Sequence, residues 1–158
     1  MDDLQKIINK SNLEATLLVK YGEKIVTSGE ELTTCNTITK PQIYLPEEGL
    51  YTLLMIDPDV PPGHMSKAFI HWLVTDIKDG KVDSGKEVLK YFRPTPPKNS
   101  GIHRYFFLLF KQEKTENEIM QVNRRNTNQF EIFLSKNLFN KKNLVAKTYF
   151  IAKFDEKC

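Results

Sequence analysis

Apolar and polar positions follow the period of β-strands through the first half of the chain. Between residues 15 and 21 the two kinds mostly alternate, which predicts a half-buried strand, and Gly22-Glu23 then predicts a turn. Residues 50–56 form an apolar, β-prone run that Asp57-Pro58 ends, because proline cannot donate to a strand ladder. Both segments are therefore predicted strands.

The second half of the chain continues the pattern. Residues 69–77 are another apolar run, and the Asp-Gly pair in the following Lys78–Lys81 suits the positive φ angles of a hairpin turn. Residues 105–110 are apolar at every position, which predicts a central strand covered on both faces. Residues 145–154 alternate again and predict a late strand.

One helix is predicted, capped by Asn126 or Thr127. It rests on apolar residues at helical spacing: Phe130, Phe133, Leu134 and Leu138. Several strands with few helices indicate a mainly β fold, a β-sandwich or a related architecture. The 158 residues fit one domain, so residues 1–158 are treated as a single unit.

The charge pattern argues against a nucleic-acid partner. The net charge is +3, and the basic residues are mostly lysine, with arginine only at Arg93, Arg104, Arg124 and Arg125. Bidentate phosphate recognition along a nucleic acid needs arginine, so such a groove is not predicted. The densest apolar run, residues 105–110, is far too short to span a bilayer, so stable membrane insertion is not expected.

Two cysteines, Cys35 and Cys158, lie far apart and form no CxxC motif. We therefore expect no disulfide, which favours a reducing compartment. The first residues lack the basic and apolar regions of a signal peptide, so the expected location is the cytoplasm.

Candidate chemistry gathers beside the predicted strands. Asp57 and Asp59 follow the strand at 50–56 in a proline-stiffened loop, and turn-forming carboxylates are the alternative interpretation. Strand alternation places His103 and Tyr105 on one face and Arg104 on the other, where it is expected to pair with a carboxylate.

Two further features bear on the same site. His71 lies inside an apolar strand, where an imidazole needs a hydrogen-bond partner, and its neighbour Trp72 fits a core residue as well as a site residue. The segment 91–98 contains Arg93, Pro94 and Pro96. Its prolines suit either a polyproline-type surface ligand or a stiff pocket wall, and sequence leaves both open.

Four motifs in this order resemble the phosphatidylethanolamine-binding proteins, which include the Raf kinase inhibitor protein and the plant flowering-time regulators. They are Asp57-Pro58-Asp59-Val60-Pro61, His71-Trp72-Leu73-Val74, Pro94 with Pro96-Pro97, and Gly101-Ile102-His103-Arg104. The resemblance runs from about residue 17 to residue 154.

The resemblance implies an antiparallel β-sandwich, with a large central sheet, a smaller sheet and a few short helices. It implies a pocket for phosphate or phosphoethanolamine at one end of the central sheet. The lining that it implies is Asp57, His71, Pro96, His103 and Tyr105, with possible support from Asp59, Pro61, Trp72, Arg93, Pro94, Gly101 and Arg104. It also implies a cis Val60–Pro61 bond.

This sequence departs from the family pattern in three places. The stretch between Asp59 and His71 is about two residues short. Arg93 and Thr95 stand where animal members tend to have glycines. The chain ends soon after the last predicted strand, which implies that the C-terminal helix flanking the pocket in animal members is missing or rudimentary.

The expected function is headgroup binding combined with regulation of a signalling partner such as a protein kinase. A serine protease inhibitor and a phospho-residue-reading module are the alternatives that the resemblance implies. No HExxH, GxSxG, P-loop or GxGxxG motif is present, so neither catalysis, a metal nor a cofactor is predicted. A metal-dependent hydrolase built from the His and Asp residues is the remaining enzymatic alternative.

Overall fold

The computed structural model describes residues 3–61, 68–115 and 139–158, which form two β-sheets and a few short helices. The smaller sheet contains β1 (Leu18–Tyr21), β2 (Lys24–Ile25) and β4 (Gln42–Tyr44). The larger sheet contains β3 (Glu30–Glu31), β5 (Tyr51–Asp57), β6 (Phe69–Ile77), β7 (Lys86–Leu89), β8 (His103–Lys111) and β9 (Leu144–Ala152). The helices are α1 (Asp3–Ile8) and three 3-10 turns, η1 (Thr34–Thr37), η2 (Val82–Ser84) and η3 (Lys141–Asn143).

The mainly β fold confirms the strands that apolar patterning predicts. They correspond to β1, β5, β6, β8 and β9, and the strand order β3-β9-β8-β5-β6-β7 puts the all-apolar β8 inside the sheet. The turn after β6 is also confirmed, with φ of 60° at Asp79 and 69° at Gly80. The helix predicted at 126–138 lies outside the described residues.

The core is divided between the two faces of the larger sheet. On one face, Val19 of β1 and Ile43 of β4 share a cluster with Leu53 and Phe107, so the smaller sheet covers this side. On the other face, Leu54 and its neighbours pack against Leu4, Ile7 and Ile8 of α1. Both β5 and β8 are therefore buried from two sides, which is why their sequences carry so few polar residues.

The larger sheet is mixed, so the expectation of an antiparallel sheet is wrong at one edge. Strand β3 pairs with β9 in parallel, with Glu30 opposite Phe150 and Glu31 opposite Ile151. The chain reaches this edge from the smaller sheet through Gly29, whose N–H donates to the Tyr149 carbonyl at 2.8 Å. It therefore arrives running in the direction of β9, and only two residues pair.

A disulfide joins Cys35 to Cys158, so the expectation of unpaired cysteines is wrong. Their Cα atoms lie 5.2 Å apart, within the range that a disulfide requires, although 123 positions separate them in sequence. Strand β9 brings the end of the chain back beside η1. The sequence separation of the two cysteines gives no sign that they lie close together. The cysteines no longer indicate a reducing compartment, and the cytoplasmic location stays a prediction.

Residues 153–158 follow β9 without forming a helix. They are tied back to the body of the protein by the disulfide, by the Arg93 Nη2 donor on the Cys158 carbonyl at 2.6 Å, and by an exposed ion pair between Lys98 and Glu156 at 3.8 Å. In the described part of the chain, none of the helices has the length and apolar character needed to cross a bilayer.

Candidate functional site

A cavity of about 310 Å³ opens where the end of β5 meets the beginnings of β6 and β8. These ends adjoin because β5 runs antiparallel to both neighbours. Six residues that the sequence singled out line the cavity: Asp57, Pro61, His71, Pro96, His103 and Tyr105. Five further lining residues were not among the predicted site residues: Val60, Phe69, Phe92, Thr95 and Pro97.

A β-bulge in β6 brings His71 to the cavity. Ile70 pairs with Ile56 and Trp72 pairs with Met55, so His71 and Trp72 together lie opposite one residue of β5. Strict alternation would put His71 on the same face as Leu73, which packs in the cluster beside α1. The inserted residue instead directs His71 to the cavity while Trp72 stays in the core between the sheets.

The His71 ring is fixed by the segment that carries the prolines. Its Nδ1 lies 2.7 Å from the Phe92 carbonyl, and the Phe92 N–H donates to the His71 carbonyl at 2.8 Å. Because a carbonyl only accepts, Nδ1 carries the proton, and Nε2 is protonated only in the imidazolium form. The ring also makes an edge contact with Tyr105, with centroids 5.2 Å apart.

A buried Asp–His pair forms the inner wall. His103 Nδ1 lies 2.7 Å from Asp57 Oδ2, and both side chains are less than a tenth exposed. Asp57 Oδ1 accepts the Asp59 N–H at 2.7 Å. Burial raises the pKa of Asp57 above its usual range, and the hydrogen bonds from His103 and the Asp59 N–H offset part of that rise.

Ser100 extends the pair into a hydrogen-bonded chain. Its Oγ lies 2.8 Å from His103 Nε2 and 2.6 Å from the Pro97 carbonyl. Two oxygens this close need a proton between them, and the carbonyl has none, so the Ser100 hydroxyl donates to Pro97. Ser100 Oγ can then only accept from His103 Nε2–H. The His103 ring therefore bridges Asp57 through Nδ1 and Ser100 through Nε2.

Tyr105 contributes a neutral donor. Burial raises the pKa of its hydroxyl well above the usual value, and the nearby Asp57 and Asp59 raise it further. The phenol therefore keeps its proton across the physiological range. Its ring stacks at 20° on Phe150 with centroids 5.2 Å apart and lies parallel to His103 at 6.3 Å.

Arg104 faces away from the cavity and pairs with Asp59, as strand alternation predicts. Arg104 Nε and Nη2 reach the two carboxylate oxygens at 2.8 and 2.9 Å, and the Arg104 N–H adds a third bond at 2.9 Å. Burial would raise the pKa of Asp59, but the hydrogen bonds from Arg104 outweigh it and lower that pKa. This pair joins the loop after β5 to the start of β8 and thereby supports Asp57.

Four other predicted supporting residues do not line the cavity: Trp72, Arg93, Pro94 and Gly101. Trp72 is buried in the core, where its Nε1 donates to Glu87 at 2.9 Å. Pro94 is buried behind the wall, and Gly101 supplies a φ of +82° just before β8. The expected cis bond before Pro61 is wrong, since every peptide bond between described residues is trans.

Sequence reasoning missed the aromatic and serine partners of the two histidines. Phe69 and Phe92 flank His71, with ring centroids 4.8 and 6.0 Å from the imidazole. Ser100 stands three residues before His103, and this short spacing is the sequence feature that could have indicated their contact. The turn at residues 97–100 is what brings the two side chains together. No group of three or more His, Cys, Asp or Glu residues suited to a metal occurs within the described ranges.

The sequence matches a known protein family over most of its length. The model of the phosphatidylethanolamine-binding protein family matches residues 12–150, and the chain belongs to that family. Protein FLOWERING LOCUS T of Arabidopsis thaliana is 39% identical over 113 residues, which cover 67% of this chain and 63% of that protein. The chain thus spans less than two thirds of the length of that curated relative.

Solved structures with the same fold include a proteinase inhibitor. The carboxypeptidase Y inhibitor, crystallised with its cognate proteinase, matches with a TM-score of 0.80 and 25% identity, covering 96% of this chain and 90% of that one. The phosphatidylethanolamine-binding protein of Plasmodium vivax matches with a TM-score of 0.66 and 21% identity, covering 96% and 93% of the two chains. The second likeness concerns the fold alone.

The Asp59–Arg104 pair gives a pH-dependent contribution to stability. The pKa of Asp59 is lower in the folded protein than in the unfolded chain, so the pair stabilises the fold above about pH 4 and loses that effect as the pH falls. We expect Asp59→Asn to lower the free energy of unfolding by about 1 kcal/mol at pH 7, since both side chains are partly exposed. The deficit should shrink near pH 3.

Urea unfolding followed by the fluorescence of Trp72 measures both values. Glu23→Gln is the matched control, because Glu23 pairs with Lys20 at 3.9 Å from a fully exposed position and should change nothing. A deficit for Asp59→Asn that is the same at pH 7 and pH 3 would contradict an electrostatic role.

Proposed function

We propose that this chain binds a small phosphate-bearing headgroup, phosphate or phosphoethanolamine, in the cavity and thereby modulates a protein partner. The observation that carries this proposal is the meeting of His71, His103 and Tyr105 around one chamber of about 310 Å³. Membership of the phosphatidylethanolamine-binding protein family supports it. The proposed ligand-binding residues are Asp57, His71, Pro96, His103 and Tyr105.

The anion is held by donors at three positions. His103 offers Nε2–H, Tyr105 offers its hydroxyl, and His71 adds Nε2–H once its ring is protonated. Hydrogen bonds to a charged ligand contribute roughly 1.5–3 kcal/mol each. Association itself costs several kcal/mol, so the net affinity for a free headgroup is modest.

Asp57 has an indirect role toward the phosphate and a direct one toward ethanolamine. Its side chain holds the His103 ring by Nδ1 and fixes its orientation, so a group that would repel phosphate instead supports a donor. The same carboxylate lines the cavity and can receive an ammonium. The faces of Phe69 and Phe92, with centroids 5.5 Å apart, offer the ammonium a second site.

Affinity for a tetrahedral anion should rise as the pH falls from 8 to 6. An ordinary imidazole gains its second proton near about pH 6.5, and His71 Nε2 becomes a donor only then. Sulfate is the probe for this test, since its charge stays constant over the range. We expect calorimetry to give about tenfold tighter sulfate binding at pH 6 than at pH 8.

His71→Gln is the matched variant for the pH test. It keeps a polar side chain in the bulge but removes the titrating ring, so its profile should be flat. A flat or reversed profile for the unchanged protein would remove protonation of His71 from the mechanism.

Two substitutions test which residues hold the headgroup. His103→Ala should abolish phosphoethanolamine binding, but it also strands the buried Asp57, so its unfolding is measured alongside. Tyr105→Phe leaves the Asp57–His103 pair intact and should weaken binding about tenfold, which corresponds to one lost hydrogen bond to a charged ligand.

Tyr44→Phe is the control for Tyr105→Phe, because Tyr44 is an exposed tyrosine on β4 that bonds only Gln42 among the described residues. Calorimetry should give unchanged affinity for this control. Unchanged phosphoethanolamine affinity in both His103→Ala and Tyr105→Phe would move the site elsewhere.

We further propose that the chain acts by binding and not by catalysis. The order Asp57, His103, Ser100 follows that of a nucleophile relay, but the Ser100 hydroxyl donates its proton to the Pro97 carbonyl and not to His103. A serine in that arrangement has no acceptor for its proton on the histidine, since His103 Nε2–H is itself the donor. This geometry favours a holding role for the chain of hydrogen bonds.

The partner is proposed to be a protein that contacts the cavity and its proline wall. A signalling protein such as a kinase is the first candidate, with a phosphorylated residue of the partner entering the cavity. The likeness to the carboxypeptidase Y inhibitor favours a proteinase as the second candidate.

The proteinase candidate predicts that this chain lowers carboxypeptidase Y activity in a peptide-hydrolysis assay. Addition of phosphoethanolamine tests whether the cavity takes part in this inhibition. Inhibition that persists at saturating phosphoethanolamine indicates a surface apart from the cavity, whereas inhibition that it relieves indicates the cavity. No inhibition at micromolar chain would exclude this proteinase.

A further inference from the structure

Ser100 Oγ accepts the same His103 N–H that a ligand in the cavity would use. His103 Nδ1 is committed to Asp57 at 2.7 Å, and the Nε2–H is directed at Ser100 Oγ at 2.8 Å. A single N–H makes one well-aligned hydrogen bond, because the interaction weakens steeply away from linearity. A ligand oxygen and Ser100 Oγ therefore compete for the same proton.

Resting on the proposed anion site, we propose that Ser100 is a built-in competitor that holds the affinity of the cavity down. In the empty protein its oxygen accepts the Nε2 proton, and an oxyanion replaces it on binding. The exchange is feasible because Ser100 is only partly buried and its oxygen regains a partner from water. An anionic oxygen is the stronger acceptor, so the swap favours a charged ligand.

The turn that carries Ser100 does not depend on the hydroxyl. The Ser100 backbone N–H also donates to the Pro97 carbonyl, at 3.1 Å, so this bond remains when the hydroxyl is removed. The positive φ angles of Asn99 and Gly101, 67° and 82°, are set by their own positions in the loop. Ser100→Ala therefore removes the competitor while the turn and the Asp57–His103 pair stay in place.

The opposite signs of the two possible effects make the proposal testable. A serine that only supports the structure would weaken binding when it is replaced, whereas removal of a competitor strengthens binding. We expect Ser100→Ala to bind phosphoethanolamine about tenfold more tightly than the unchanged protein at pH 6, the effect of one hydrogen bond that no longer has to be broken. Ser100→Thr keeps the hydroxyl and should match the unchanged protein.

Ser84→Ala is the control for loss of a turn hydroxyl. Ser84 Oγ lies 2.6 Å from both the Lys78 and the Lys81 carbonyl oxygens, on a turn away from the cavity, and its replacement should leave the affinity unchanged. Nitrogen-15 NMR of the His103 ring supplies a second measurement. Its Nε2–H signal should be protected from exchange in the ligand-free protein, lose that protection in Ser100→Ala, and coincide in the two proteins at saturating ligand.

Equal or weaker binding by Ser100→Ala, with binding by the unchanged protein intact, would overturn the competitor role and leave the anion site standing. Absence of phosphoethanolamine binding in the unchanged protein and in every variant would overturn the anion site and the competitor role together. The two failures are therefore distinguishable.

Discussion

The contact between Asp57 and His103 is the constraint on which the candidate site depends. It joins the end of β5 to the start of β8 across 46 positions of sequence, inside a region that excludes water. A buried charge is costly unless it is paired, so each partner makes the other tolerable. The pair adds little to net stability, but it fixes the tautomer and orientation of the imidazole, and the chain of contacts through Ser100 to Pro97 follows from that orientation.

Around this contact, the residues that hold the loops in place differ from those that line the cavity. Asp59 and Arg104 hold the loop beside Asp57 from the outer side of the sheet, and the Phe92 backbone joins the proline segment to His71. Pro96 and Pro97 then form a wall whose conformation requires little ordering on binding. Most of the cavity is therefore assembled before a ligand arrives, with polar groups concentrated on one side and aromatic rings on the other.

Local patterning predicts the parts of this arrangement that depend on local physics. The central strands follow from apolar runs, and the shared face of His103 and Tyr105 follows from the two-residue period of β8. His71 could be assigned to the site only through family resemblance, because alternation alone points it toward α1 and the bulge that redirects it leaves no mark in the residue types. The Cys35–Cys158 bond and the parallel pairing of β3 escaped prediction for a related reason, since both depend on where distant segments meet.

The inserted residue of β6 also separates two evolutionary pressures on adjacent positions. Trp72 must fill a fixed volume between the sheets, whereas His71 beside it is the extra residue of the β-bulge. Exchange of the side chain at position 71 can therefore alter what the chamber accepts without shifting the register of the sheet. A fold with such an insertion can acquire new ligands by single substitutions while its interior stays the same.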